Sequence, residues 1–245
     1  MDSGYYAALT GLVARTEALD TAAANLANAQ TPGYRAEREF FRSALMGPDA
    51  ADSQLGKTVN DYGLLGGDQL SMAQGALQQT GNALDLAIQG EGFFQIMTAN
   101  GIRYTRDGGF QRSRGGQLVT AAGEAVLSTA RKPISVPPGE VTVGADGVLS
   151  VAGGTVATVG VYTFPAGVHL TPEGTNRYVA PADAKPVLST NASIHQGAVE
   201  SANQDVIQGS LDLIVMQRQA EMMQKALTIF HTEFNKTATE DLPRV

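Results

Sequence analysis

Apolar residues recur at alternating spacings of four and three near both ends of the chain, and a glycine-rich stretch of a different period lies between them. Near the N-terminus, Tyr5, Leu9, Leu12, Thr16, Leu19, Ala23 and Leu26 keep that alternation. Near the C-terminus, Val206, Gly209, Leu213, Met216, Ala220, Met223, Leu227, Phe230 and Phe234 do the same. This spacing sets a narrow apolar seam on one side of a helix, as packing against another helix requires. The first helix is expected over about Ser3 to Ala29, capped by Ser3. Thr31-Pro32-Gly33-Tyr34 stops it, with proline and glycine where a type II turn needs them. The second helix is expected to begin between Val199 and Asp205, with Ser201 the candidate cap, and to run to about Phe234. The two seams would be roughly 33 and 42 Å long at about 1.5 Å per residue.

Between the helices the period changes. Residues 35–45 read as a short helix or a charged strand, and glycines then interrupt the chain repeatedly as far as Gly75. From Asn82 to Ile194 the pattern is β. Phe93 to Met97 and Ile102 to Thr105 flank Ala99-Asn100-Gly101, and Val141 to Val143 and Val148 to Val151 flank Asp146-Gly147. These are hairpin signals. The expected fold is α+β, with coiled-coil-type helices bracketing a mainly antiparallel β domain. Its expected parts are residues 1–34 (helix and turn), 35–81 (extended connector), 82–194 (β domain) and 195–245 (terminal helix).

Composition narrows the function. Net charge is -7 and pI is near 4.9. No basic surplus exists to release counterions from a polyphosphate, so no nucleic-acid partner is expected. There is no cysteine among the 245 residues, which removes disulfides, thiolate metal sites and cysteine nucleophiles together. His169, His195 and His231 stand far apart, none at metal-ligand spacing. Gly90-Glu91-Gly92 fails as a dinucleotide fingerprint, because Gln95 occupies the third glycine position and a strand rather than a helix follows. No stretch reaches the ~20 apolar residues that span a bilayer, and the first thirty residues lack the basic-then-apolar pattern of a cleaved secretory signal. Neither end presents the basic face of a membrane-surface helix. No catalytic site, cofactor or metal is therefore expected, and the helical ends point to assembly. An enzyme would need a convergent polar pocket on the β domain. A secreted adhesin or surface-layer module would instead bind a ligand through that domain and leave the ends dispensable.

Several segments carry a family resemblance. Asn25-Leu26-Ala27-Asn28-Ala29-Gln30-Thr31-Pro32-Gly33-Tyr34 resembles the rod signature of bacterial flagellar axial proteins. Leu84-Asp85-Leu86-Ala87-Ile88-Gln89-Gly90-Glu91-Gly92-Phe93-Phe94 is similar to an element of the rod and hook group. Arg103 to Phe110, Gly116 to Thr120, Ile134 to Pro138 and Gly174 to Tyr178 continue the match in order, and Gln196 to Asn203 resembles the segment before the terminal helix. Length and Arg218-Gln219-Ala220-Glu221-Met222 look most like proximal-rod members, with distal-rod members the close rival. The resemblance implies export through the flagellar type III apparatus without a cleaved signal. It implies terminal helices packed as the coiled-coil inner layer of a tube, an outward β domain, and torque transmission across the periplasm. Partners would be copies of the chain, other rod and hook-family proteins and the export apparatus, with no membrane insertion. The residues expected at the assembly interface are Leu9, Leu12, Leu19, Asn25, Leu26 and Asn28 of the first helix and its turn, and Leu213, Met216, Met223, Leu227 and Phe230 of the second.

Overall fold

The computed structural model describes residues 2–42 and 64–236, with side chains placed for all of these except 2–8, 39–42, 64–68, 230, 231 and 233–236. Helix α1 spans Asp2–Ala27 and helix α2 spans Val206–Lys236, and the strands from Leu77 to Glu200 between them pair in antiparallel fashion. Two compact units result. One holds residues 1–26, 37–69 and 206–245, and the other holds 27–36 and 70–205.

In the helical unit, the strands Glu37–Arg42 and Leu64–Leu70 pair as a two-stranded sheet. Within residues 35–45, where helix and strand were both open, Glu37–Arg42 is strand, and residues 43–63 lie outside the described residues. Asn25, near the end of α1, is buried and bridges to this sheet. Its side-chain nitrogen donates to the Glu37 carbonyl at 2.8 Å, and its oxygen accepts the Glu37 N–H at 2.9 Å. One amide side chain thereby satisfies both backbone groups of a residue, as a neighbouring strand would.

The two seams fare differently. On α2, Gly209 and Ala220 are buried and Leu213, Met216, Met223 and Leu227 are half-buried, as are Ser210, Asp212, Gln219 and Ala226, while Val206 at the head of the expected stripe is exposed. On α1 the buried positions are Gly11, Ala14, Ala18, Ala22 and Asn25, while Leu12, Leu19 and Leu26 are half-buried and Leu9 is exposed. The α1 seam is therefore displaced about 100° round the helix from the leucines. The buried side of α1 is thus its alanine and glycine side, with the leucines at its flank. Ser201 does not cap α2. Its N–H is bonded to the Ala76 carbonyl at 2.9 Å, and the helix starts after Asp205.

In the β unit, the strands Phe93–Thr98 and Gly101–Thr105 lie at the centre of a nine-stranded sheet. They form the expected hairpin, in register Thr98 to Gly101 and Met97 to Ile102. Its loop is Ala99-Asn100, and of Asn100 and Gly101 only the glycine has positive φ, which marks a glycine-closed turn rather than an Asn-Gly primed one. The second expected hairpin pairs Val141–Val143 with Val148–Val151, and Gly154–Thr158 adds a third strand. There the chain reverses through Ala152 and Gly153, both left-handed. Two further pairs complete the unit: Ser193–Gln196 lies on Leu86–Gln89, and Ala198–Glu200 lies on Leu77–Gln79. Leu86, Ile88, Phe94, Ile96, Phe110, Leu118, Val126 and Leu149 fill the main core, with Phe94 and Phe110 edge-to-face at 5.2 Å. Burying such side chains contributes about 1.5–3 kcal/mol each.

Candidate functional site

The turn Thr31-Pro32-Gly33-Tyr34 is built as its residue types require: the Tyr34 N–H reaches back to the Thr31 carbonyl at 3.2 Å, and Gly33 has φ +69°. A Cβ at Gly33 would lie 2.1 Å from the backbone nitrogen of Asp107, so no side chain fits there. Asn28 belongs to the same turn system, its carbonyl accepting the Thr31 N–H at 2.9 Å and its side-chain oxygen the Thr31 hydroxyl at 3.3 Å.

The turn is clasped by the segment that leads into α2. The Gly33 N–H donates to the Glu200 carbonyl at 2.8 Å, and the Asn203 N–H to the Tyr34 carbonyl at 3.3 Å. The Asn203 side chain accepts the Ala36 N–H at 2.7 Å and donates to the carbonyls of Ser71 and Ala73, each at 2.9 Å. The Tyr178 hydroxyl, from the large sheet, accepts the Arg35 N–H at 2.9 Å and lies 3.4 Å from the Gly33 carbonyl, to which it donates.

Beneath these bonds lies an ionic triad. Arg35 Nη2 is 3.1 Å from Glu200 Oε1, Arg106 Nε is 3.0 Å from Oε2, and all three side chains are 2% exposed. The Gly75 N–H adds a bond to Oε1 at 2.9 Å. Arg35 also donates to the Ala73 carbonyl, and Arg106 donates to the Gly90 carbonyl at 2.8 Å. The Arg106 guanidinium also stands 6.0 Å from the centre of the Phe93 ring. The Arg106–Glu200 contact is a close ion pair but not a hydrogen bond in its geometry, so Arg106 Nε and Glu200 Oε2 keep no hydrogen-bond partner. Burial lowers the pKa of Arg106 to about 10 and that of Arg35 below its usual value, opposed in both by attraction to Glu200. Two guanidinium groups thus flank the one carboxyl group of Glu200.

Glu200 could have been found in the sequence. It alternates with Ala198 on a short strand, and both are buried while Val199 is less so. An acid on the inward face of a strand calls for a cation. Which cations answer it, more than 90 residues away in the chain, has no local signal.

Of the expected interface residues, Asn25 and Asn28 serve the chain's own turn and sheet. Leu213, Met216, Met223 and Leu227 lie half-buried on one side of α2, Leu12, Leu19 and Leu26 half-buried on α1, and Leu9 stands exposed. The side chain of Phe230 lies outside the described residues. The side chain of His231 lies outside the described residues, and the other two histidines have separate surroundings. His169 lines an open cleft with Pro165, Val168, Pro181, Asp183 and Lys185, while His195 faces the Gln89 side chain. Among the described residues, no group of three or more His, Cys, Asp or Glu could hold a metal ion, and no helix is long and apolar enough to cross a membrane.

Two segments of the chain match known sequence families. Residues 6–35, ending in the clasped turn, match the family model described as flagella basal body rod protein. Residues 87–151 match the flagellar hook protein FlgE/F/G D1 domain. Over its full length the chain is similar to the flagellar basal-body rod protein FlgF of Caulobacter vibrioides, at 33% identity over 247 residues covering 100% of both chains. FlgF of Rhizobium meliloti is 34% identical over 221 residues, 89% of each chain. The rod protein FlgG of Buchnera aphidicola subsp. Schizaphis graminum is 31% identical over 242 residues, 89% of this chain and 92% of that one.

Proposed function

The chain belongs to the family of flagellar basal-body rod proteins, and from that premise we propose that it is a non-catalytic subunit of the proximal rod. The observation that carries the placement is the end-to-end match to FlgF. The FlgG relative makes a distal position the second reading. In the proposed mechanism, α1 and α2 form the coiled-coil inner layer of the drive shaft, and copies of the chain join other rod and hook-family proteins. The subunit reaches the periplasm through the type III export apparatus without losing a signal peptide. The physical support is the contrast in burial. The faces of α1 buried in the subunit are alanine and glycine, whose burial contributes under ~1 kcal/mol per methyl. Ordering a helical residue costs about 1–2 kcal/mol in backbone entropy. Neighbouring subunits would supply the missing burial, and the helices would gain full order on assembly.

Leu227→Asp places a charge in the α2 seam and tests this reading. The variant is expected to vanish from purified basal bodies and to abolish motility, while the β unit keeps its cooperative unfolding. Normal incorporation of Leu227→Asp, or unchanged motility on deleting the gene, would overturn the proposal.

A further inference from the structure

The hairpin at the centre of the large sheet carries the chain's single Asn-Gly pair, Asn100-Gly101, at its tip. Asparagine followed by glycine is the dipeptide most prone to cyclise, because the next backbone nitrogen carries no side chain to obstruct its approach to the amide carbon. Asn100 is exposed. A Cβ built at Gly101 would meet nothing nearer than Arg103 Nη1, at 3.8 Å, so the space for ring closure is open. Thr98 and Gly101 are the last pair of the ladder, and ladder ends open most readily.

The neighbours of Asn100 act on that reaction. Arg103 Nη1 donates to the Asn100 carbonyl oxygen at 3.0 Å. That oxygen belongs to the peptide group whose nitrogen, on Gly101, is the nucleophile. When the nitrogen loses its proton, the negative charge spreads onto the same oxygen, where a guanidinium already stands. Arg103 is itself held in place, since its Nε pairs with Glu173 and its Nη1 also donates to the Ile102 carbonyl at 3.1 Å. Glu173 Oε1 in turn accepts the Asn100 Nδ2–H at 3.2 Å, which keeps the amide beside the same ion pair.

We propose that Asn100 is a self-modification site, which deamidates through a succinimide in a step that Arg103 promotes. The Gly101 nitrogen gives its proton to solvent and forms a bond to Asn100 Cγ. The Cγ–Nδ2 bond breaks, and ammonia departs with a proton taken back from solvent. Water then opens the ring at one of its two carbonyls, leaving aspartate or isoaspartate. Water is the only co-reactant. The product sets a carboxylate where the Nδ2 donor stood, so the hairpin tip gains one negative charge and loses its hydrogen bond to Glu173. This chemistry needs only the folded hairpin and stands apart from the reading of the chain as a rod subunit.

Purified full-length protein would be kept warm at neutral pH, sampled over days, digested and read by mass spectrometry with fragmentation that separates aspartate from isoaspartate. Asn100 is expected to convert several-fold faster than Asn82, Asn176 and Asn191, none of which precedes a glycine, with isoaspartate among the products. Arg103→Leu should slow Asn100 several-fold in the folded chain. In urea the two chains should convert at one rate, because the contact no longer exists. Arg103→Lys, the milder variant should the leucine chain not fold, should also slow Asn100, since one ammonium does not reproduce the fork that bonds Glu173 and the Asn100 carbonyl together. Folded protein whose Asn100 stays intact, or converts unchanged in both Arg103 variants, would overturn the proposal. So would an equal slowing in urea, which would place the effect in the local sequence rather than in the folded contact.

Discussion

The β unit and the helical unit are held by different means. The β unit encloses large side chains completely, Phe94, Ile96, Leu118 and Leu149 at 0% exposure among them, and it sinks an ionic triad beside the turn it clasps. The helical unit, among the described side chains, buries alanine, glycine and one asparagine, and it leaves Ile207 74% exposed. A body of the first kind carries its own stability. One of the second kind is finished only by what lies against it. In the assembly proposed above, that division keeps the assembly surfaces weak until neighbours arrive.

The largest expected effect falls on the β unit. Glu200→Ala leaves Arg35 and Arg106 buried without their counter-ion and should cost about 3–5 kcal/mol, read as a drop in the urea midpoint. If that midpoint hardly moved, the triad would be incidental and the contrast between the units much weaker. Asn25→Ala removes both bonds to the Glu37 backbone in the helical unit and should cost about 1–3 kcal/mol. Its signature is faster hydrogen exchange at the Glu37 N–H with the β unit's midpoint unchanged. Loss at both units together would show that they unfold as one. The smallest effect has the opposite sign. Ala152 adopts φ +50° in a two-residue turn that favours asparagine, so Ala152→Asn should stabilise the β unit by about 0.5–1 kcal/mol, seen as a higher thermal midpoint.

Much of this was legible because it was local. Thr31-Pro32-Gly33-Tyr34 names its turn type, the two hairpins announce themselves through Asn100-Gly101 and Asp146-Gly147, and the α2 stripe from Gly209 to Leu227 follows from spacing alone. On α1 the face buried within the subunit differs from the leucine stripe. Leucines draw the eye to the most apolar side, whereas Gly11, Ala14, Ala18 and Ala22 permit the closest packing. Burial pattern can follow size rather than hydrophobicity. The clasp was hidden because its parts, Arg35, Arg106, Tyr178, Glu200 and Asn203, meet only through tertiary pairing. Each reads locally as an ordinary polar residue in a motif.

The clasp also has a mechanical meaning. Two of the stretches by which the chain enters and leaves the β unit, residues 27–36 and the stretch that ends at residue 205, are fastened to each other, where Asn203 holds Tyr34 and Ala36 and Glu200 holds Gly33 and Arg35. A pull on either stretch therefore strains the same bonds. Neither of these two stretches can slip while the other stays seated.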